Sequence, residues 1–307
     1  MTDAIQWHDL HPKVKRGLLA TADNVTIRDG VATDLNGNVV TDRIQFTPVL
    51  SAPQVRKLDV INDMTAHQSE NDGFVFAFFR QSRMIEERFP TLLKPDLARL
   101  MYVGSYIAWE SGQLRYDNGV PIEKDGMHTL VSMSRKRFNE FYARLIAEDI
   151  IQEAEDGTIY VNPSVFYRGG IKSYQYALDD VQYTRMFRKT VRELYTAYNG
   201  RALGQLALVY AVMPFVNFQT NIVAYNADES KEALVKPMSL DKLAVLLDYG
   251  NANKLKAALN RVKVNGNPVF GFFENPHDRR TFRIVVNPYV IYAGDGDGLR
   301  ALKALFS

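Results

Sequence analysis

One nine-residue segment occurs twice in the chain. Its two copies are Val161-Asn162-Pro163-Ser164-Val165-Phe166-Tyr167-Arg168-Gly169 and Val286-Asn287-Pro288-Tyr289-Val290-Ile291-Tyr292-Ala293-Gly294. Six of the nine positions are identical in register. Because proline cannot donate a hydrogen bond to a β-ladder, each Asn-Pro pair should end the strand that precedes it. A duplication of this kind predicts that one structural module is present twice.

The similarity continues upstream of both segments. Phe79-Arg80 lies 22 residues before Tyr102, and Phe187-Arg188 lies 22 residues before Tyr210. Each of these aromatic-basic pairs is followed by an apolar helical pattern. The second copy is longer, and we place its additional residues in the loop 221–236, which is rich in Asn, Asp and Glu.

Three helices and a hairpin are predicted in the first copy. The helices cover residues 94–109, 127–133 and 135–146, and the hairpin covers residues 150–161 with Asp156-Gly157 at its tip. Ser134 is the expected N-cap of the third helix, which is basic. The apolar side chains of that helix fall on one stripe: Phe138, Phe141, Tyr142 and Leu145.

The second copy follows the same plan. Its predicted helices cover residues 183–199, 203–215, 240–247 and 251–262, and its hairpin pairs residues 269–273 with residues 281–285. The tip of this hairpin, residues 275–280, is basic, whereas the tip of the first hairpin is acidic. The order helix, helix, basic helix, hairpin is that of a winged helix.

We therefore predict an α+β protein, predominantly helical, with two tandem winged-helix domains, each a helix-turn-helix plus a β-wing. The first domain covers residues 51–170 and the second covers residues 171–307. Residues 1–50 are expected to form a small N-terminal β layer, because strand-like runs there bracket turns at Asp29-Gly30 and Asn36-Gly37.

Basic and amide side chains lie off the apolar stripe of each third helix, where a recognition helix meets the major groove. Asn, Lys and Arg are the side chains that contact base edges and phosphates. The predicted DNA contacts of the first domain are Ser134, Arg135, Lys136, Arg137, Asn139 and Arg144. Those of the second domain are Asn251, Asn253, Lys254, Lys256 and Asn260 in the helix and Arg279, Arg280 and Arg283 in the wing. The alternatives are a solvated helix face and, for the wing, charges that protect an exposed hairpin edge.

Composition limits the classes of function. With 46% hydrophobic and 23% charged residues the chain is expected to be globular, and without cysteine it has no disulfide, thiolate ligand or thiol nucleophile. No stretch is typical of a signal peptide or a membrane span, so we expect a cytoplasmic protein with no membrane partner. The net charge of +2 means that contacts with nucleic acid must come from local clusters of Lys and Arg.

No catalytic residue, cofactor or metal is predicted. The chain lacks a Gly-x-x-x-x-Gly-Lys-Ser/Thr phosphate loop, which disfavours an ATP-driven enzyme. His8 and His11 could share one helical turn, but two histidines without further ligands are typical of a surface. The segment Asp295-Gly296-Asp297-Gly298 lacks the later acidic ligands of a calcium loop and is interpreted as a turn.

The end of the first copy carries a resemblance to a known family. Within residues 93–170, the run Tyr160-Val161-Asn162-Pro163-Ser164-Val165-Phe166 with Gly169 resembles the winged-helix replication initiators of Gram-positive plasmids and phages, the RepL-type proteins. The resemblance covers about a quarter of the chain. It implies origin binding and recruitment of host replication proteins without chemistry by the initiator. The size and the duplication are also similar to initiators built from two winged helices, which bind repeated origin sequences as monomers and dimerise when inactive.

These patterns predict a sequence-specific double-stranded DNA-binding protein, not an enzyme, that initiates replication of a plasmid or phage. Its sites should be repeated or bipartite, with half-sites about ten base pairs apart. Further expected partners are host replication or transcription proteins and a second copy of the chain. One alternative is a phage or bacterial transcription regulator with the same binding mode. Another is a winged-helix adaptor that binds protein, which the near-neutral charge and the acidic first wing favour.

Overall fold

The protein has a mixed α+β fold. A computed structural model describes residues 10–21, 25–28, 31–34, 37–39, 51–80, 84–174, 181–275 and 278–307. The chain divides into two compact units, Met1–Asp59 and Val60–Ser307. Both copies of the repeated segment lie in the second unit.

The first unit contains a short antiparallel hairpin. Its elements are α1 (Pro12–Thr21), β1 (Val25–Arg28) and β2 (Val31–Asp34). Thr33 also forms an antiparallel bridge with Val39. The strand expected at residues 39–46 lies, beyond Val39, outside the described residues, as do His8 and the turn expected at Asp29-Gly30.

The first half of the second unit contains the helices and the hairpin of the first copy. In chain order the elements are α2 (Ala52–Glu70), in which the division between the units falls, β3 (Phe74–Arg80), α3 (Ile85–Arg88), α4 (Lys94–Gly104), α5 (Lys124–Val131), α6 (Arg135–Ala147), β4 (Ile151–Glu153), β5 (Ile159–Val161) and β6 (Phe166–Tyr167). The helix expected to reach residue 109 ends at Gly104, because the chain turns and Ile107 pairs with Leu114. Helix α5 ends at Val131, and the left-handed backbone of the next residue, Ser132 (φ 49°), turns the chain toward α6.

The second half repeats this order from its first strand onward, with an additional short hairpin (residues 263–268) before the longer one. Its elements are β7 (Val181–Phe187), α7 (Arg188–Tyr198), α8 (Leu203–Val212), α9 (Leu240–Leu246), α10 (Ala252–Arg261), β8 (Lys263–Val264), β9 (Asn267–Pro268), β10 (Phe270–Asn275), β11 (Asp278–Val286), β12 (Ile291–Tyr292) and α11 (Leu299–Ala304). The helix expected over residues 183–199 begins only at Arg188. Residues 183–187 belong to β7, because pairing with β3 overrides a spacing that also fits a helix. The next helix ends at Val212, and a 3-10 turn, Met213–Phe215, follows it.

Four strands form one antiparallel sheet in the order β12-β7-β3-β6, to which each half contributes two strands. Helices α4 and α8 pack against each other, and the main core lies between them and the sheet. The buried ring of Tyr210 in α8 lies 5.9 Å from the ring of Phe79 and 5.8 Å from that of Phe166. The sheet therefore joins the two copies into one folded body.

The strands correct the register of the repeat by one residue. The Phe78 N–H donates to the carbonyl of Val165 (3.1 Å), and the Phe187 N–H donates to that of Val290 (3.0 Å). Val165 and Val290 are matching positions of the repeated segment, so Phe187 corresponds to Phe78 and not to Phe79. The two aromatic-basic pairs are thus not equivalent, since a one-residue slip moves a strand side chain to the opposite face.

Candidate nucleic-acid interface

In the first copy, a short segment between α4 and α5 adds a third strand to the hairpin of β4 and β5. The Leu114 N–H donates to Ile159 O (2.9 Å), and the Val161 N–H donates to Gly112 O (2.9 Å). Leu114 and Ile159 are fully buried, so the segment also fixes the hairpin against the helices. We call residues 94–161, from α4 to β5, the first module.

The second copy has the same pairs of hydrogen bonds. The Val223 N–H donates to Ile284 O (2.8 Å), and the Val286 N–H donates to Asn221 O (2.9 Å). We call residues 203–286, from α8 to β11, the second module. Both modules therefore have the order helix, strand, two helices, hairpin, with the same backbone pairing despite loops of different length.

The repeated Asn-Pro pair has the same role at the end of each hairpin. The side-chain Oδ1 of Asn162 accepts a hydrogen bond from the Ser164 N–H (2.9 Å), and that of Asn287 accepts one from the Tyr289 N–H (3.0 Å). These contacts form the turn that leads from the hairpin to the last strand of the sheet. The expectation that Asn-Pro ends the strand is confirmed, since β5 and β11 stop immediately before it.

The glycine that closes each repeated segment is explained by a close approach of the chain to a tyrosine. A Cβ atom at Gly169 would lie 2.4 Å from the hydroxyl of Tyr167, and one at Gly294 would lie 2.5 Å from the hydroxyl of Tyr292. A side chain at either position would require the buried tyrosine ring to move. The identical positions of the segment are therefore those that the turn requires.

Helix α6 has the predicted division into two faces. Phe138, Phe141, Tyr142 and Leu145 are buried, which confirms the apolar stripe. Ser134 is the N-cap residue, although its side chain makes no capping hydrogen bond. The side chains on the outer face are Arg135, Lys136, Arg137 and Asn139, all of them exposed.

Arg135 is directed partly toward α5. Its guanidinium donates to the carboxylate of Asp125 at 2.6 Å and lies 3.4 Å from Nδ1 of His128. The ion pair is exposed, so it offsets the positive charge of Arg135 without fixing the side chain firmly. Lys136 and Arg137 are consequently the stronger cationic positions of α6.

The expected outward position of Arg144 is wrong. Its guanidinium donates twice to Oδ2 of Asp96, at 2.9 and 2.7 Å, and the Asp96 side chain is only 1% exposed. Arg99 donates to the other carboxylate oxygen at 3.0 Å. A buried carboxylate requires such partners, and helical periodicity alone does not reveal a partner on another helix. Arg144 therefore ties α6 to α4.

Helix α10 has a polar outer face without an acidic residue. Asn251 is its N-cap, and the Asn251 side chain accepts a hydrogen bond from the Lys254 N–H (2.9 Å). Asn253, Lys254 and Asn260 are exposed. Lys256 is half-buried, and its ammonium group lies 5.4 Å from the ring centroid of Phe272, on the neighbouring hairpin.

Sequence analysis missed Arg261, at the end of α10. It is exposed, and it stands ten residues after its N-cap, as Arg144 does in α6. The exposed Lys263 follows in β8. The signal that could have identified Arg261 was a basic residue in the last turn of the helix that precedes the hairpin.

The two hairpins differ in length and charge. β10 pairs with β11 as predicted, over a longer span than β4 with β5. Arg283 is half-buried, and within the described part of the chain its Nε has no hydrogen-bond partner. The side chains of Arg279 and Arg280 lie outside the described residues, as do residues 276–277 of the tip.

The tip of the first hairpin is acidic. A hydrogen bond from the Thr158 N–H (2.9 Å) lowers the pKa of the Asp156 carboxyl. Glu153 accepts a hydrogen bond from the hydroxyl of Tyr142 (2.7 Å), and Glu155 is exposed beside them. This tip is therefore unsuited to contact phosphates.

Neither a metal site nor a membrane span is found in the described part of the chain. It contains no group of three His, Asp or Glu side chains arranged to hold a metal ion. None of its helices is long and apolar enough to span a membrane.

Comparisons with known proteins add no family to this geometry. No protein-family model, curated protein or solved structure matches the chain. The function is therefore inferred from the described residues, their contacts and their charges.

Proposed function

We propose that the chain is a sequence-specific double-stranded DNA-binding protein that acts through two winged-helix modules. The observation that carries the proposal is the repeated three-stranded pairing, Leu114 with Ile159 and Val223 with Ile284, around equivalent helices. Helix, strand, helix, helix and hairpin is the order of a winged helix, whose last helix enters the major groove. By this assignment α6 and α10 are the recognition helices and the two hairpins are the wings.

The charges of the two helices support DNA as the partner. α10 has no acidic residue, and the only one in α6 is Glu140. Each helix exposes cations beside amides, here Lys136 with Asn139 and Lys254 with Asn253. Cations neutralise phosphates, whereas amides pair with the edge of adenine. The whole chain carries only +2, so this local concentration of charge is what would attract a duplex.

The biological role we propose is replication initiation for a plasmid or phage, without catalysis by the chain itself. A transcription regulator would use the same DNA chemistry. Sequencing the DNA that the protein retains in its host separates the two: repeated sites at an origin support initiation, and sites over promoters support regulation.

The acidic first wing favours a second candidate, a protein-binding adaptor. Glu153, Glu155 and Asp156 are exposed acidic residues that would repel a phosphate, and a winged helix can present such a surface to a basic partner protein. An adaptor need not bind duplex DNA, so a direct binding measurement distinguishes it from the main proposal.

The test compares the full chain with a double variant, Lys136→Ala with Lys254→Ala, on random-sequence duplex DNA. Each lost phosphate contact lowers the affinity for all sequences and reduces the slope of log K against log salt by about one, so the slope should fall by about two. Lys136 is preferred to Arg135 because Asp125 already pairs with Arg135.

The matched control is Lys172→Ala with Lys231→Ala, which removes two exposed lysines outside both recognition helices. Its affinity and salt dependence should equal those of the unmodified chain. Equal losses in the two double variants would mean that the helices are not the contact surface. Absence of duplex binding by the unmodified chain would exclude the proposed function.

A further inference from the structure

The central sheet relates the two halves by an approximate two-fold rotation. Across the four strands, Tyr167 pairs with Phe76, Phe76 with Arg185, and Arg185 with Tyr292. Tyr167 and Tyr292 are matching positions of the repeated segment, and the strand register makes Phe76 and Arg185 equivalent in turn. A half-turn about an axis perpendicular to the sheet, between Phe76 and Arg185, therefore exchanges the two halves of this row.

Helices α4 and α8 are related by the same approximate two-fold rotation. α4 and α8 are the first helices of the two modules, and they pack directly against each other on one face of the sheet. Two equivalent helices can contact each other as partners only near the axis that relates them. The rotation seen in the strands thus extends to the modules.

The modules are held together by more than a flexible connection. Arg188 and Arg192, in α7, bind the two carboxylate oxygens of Asp117 at 2.7 and 2.6 Å. Both arginines also donate to the carbonyl of Ser105, at 2.8 and 2.9 Å. Asp117 and Ser105 belong to the first module, whereas α7 leads directly into the second. The relative orientation of the modules is consequently part of the fold.

A fixed two-fold relation determines how both modules can contact one duplex. The strands of B-DNA are antiparallel, so its local two-fold axes are perpendicular to the helix axis, and modules related by a rotation meet half-sites of opposite direction. Modules that read a direct repeat must instead be related by a translation along the DNA. The sheet does not allow that relation without breaking the pairing of β3 with β7.

We infer that one chain binds a single duplex through two half-sites in inverted orientation, and not through a direct repeat. The inference rests on the proposed function. The half-sites differ in base sequence, because α6 exposes Arg135, Lys136 and Arg137 where α10 exposes Asn253 and Lys254. The inversion is therefore geometric and is not visible as a palindrome in the DNA.

The hairpins provide a way to detect the orientation of each module. Glu155 and Glu274 each stand four residues after the first paired residue of their hairpin, Ile151 and Phe270, and both are exposed. The chain has no cysteine, so Glu155→Cys or Glu274→Cys introduces a single attachment point for an iron–EDTA group that cleaves nearby DNA.

The experiment first selects a tightly bound duplex from random sequences with the unmodified full chain. Cleavage of that duplex is then mapped for each cysteine variant, after the variant has been shown to bind it. The cysteine-free chain treated with the same reagent is the control. We expect the two variants to cut at symmetric positions, both at the outer ends of the bound site or both between the half-sites.

Three results would overturn the inference while leaving the proposed function intact. They are one cut at an outer end with the other between the half-sites, a bound site that spans one half-site only, and two duplexes bound by one chain. Failure of the selection to yield any bound duplex would instead exclude the proposed function. The two failures are therefore distinguishable.

Discussion

The first and second modules have the same backbone pairing but differ in the polar contacts of their side chains. Asp96 is the third residue of α4 and binds Arg144 of α6. Gln205 is the third residue of α8, and the residue that corresponds to Arg144, Arg261, is exposed. In the first module a buried ion pair thus removes a cation from the surface, whereas in the second module the cation remains available.

The wings differ in the same sense. The first is short with an acidic tip, whereas the second is longer and places Lys256 and Phe272 in contact between helix and hairpin. Backbone hydrogen bonds and the buried stripe specify the module, and the side chains around them can diverge without altering it. Under the proposed function, Arg261 is available for a phosphate contact that its counterpart Arg144 cannot make in the first module.

The largest expected effect is on stability and is confined to the first module. Asp96→Ala leaves Arg144 and Arg99 without their carboxylate, so we expect the free energy of unfolding to fall by about 4 kcal/mol. Gln205→Ala, at the equivalent and half-buried position, should cost about 1 kcal/mol or less. Urea unfolding of both variants measures the difference. Similar losses for the two would show that the ion pair does not distinguish the modules.

A pH effect should separate the two Asn-Pro turns. Nε2 of His67 lies 2.9 Å from the carbonyl of Pro288, whereas the carbonyl of Pro163 accepts from the hydroxyl of Tyr174 (3.1 Å). Burial lowers the pKa of His67 to about 4, with a smaller effect from Lys303 in the same direction. The second turn therefore has a buried histidine at the carbonyl of its proline, where the first has a tyrosine hydroxyl.

The direction in which stability changes with pH follows from proton binding to the unfolded chain. Above pH 6.5 His67 is neutral in both states and its contribution is complete. As pH falls from 6.5 to about 4, the unfolded state takes up a proton that the folded state excludes, so stability decreases by up to about 3 kcal/mol. His67→Phe should abolish this part of the pH dependence, and Tyr174→Phe should keep it. Urea unfolding across that range tests this, and identical profiles for the unmodified chain and His67→Phe would contradict it.

The smallest effect concerns the acidic wing. Glu155→Gln removes one exposed negative charge near the expected path of the DNA, and an exposed charge several ångströms from a phosphate is worth under about 1 kcal/mol. Duplex affinity at low salt should rise about twofold. Glu232→Gln, an equally exposed position outside the wing, serves as the control. A decrease in affinity for Glu155→Gln would indicate that the first wing makes a favourable contact.

Local patterns predicted most of each module and little of how the modules are joined. The stripe of α6, the hairpins and the Asn-Pro stops are set by spacing and by proline, so they were accessible from the sequence. The strand character of residues 183–187 was missed, because a helical period fits them equally well and only pairing with β3 decides. The four-stranded sheet consists of such pairs between distant segments, which periodicity does not reveal.

Contacts between distant segments were also missed in the candidate interface. Exposure of Lys136 and Lys254 could be predicted from their place off the apolar stripe. The pairing of Arg144 with Asp96 could not, because a partner on another helix leaves no mark in the local pattern. Arg261 was overlooked because it lies at the end of the predicted periodic segment.

The salt dependence of binding to a random-sequence duplex by the unmodified chain tests the central proposal most directly. With Lys136 and Arg137 of α6 and Lys254 and Arg261 of α10 each contacting one phosphate, log K should fall against log salt with a slope of about −3.6. Affinity should thus decrease by about two orders of magnitude between about 50 and 200 mM salt. A slope near zero, or no binding at the lower salt concentration, would contradict a role in DNA binding.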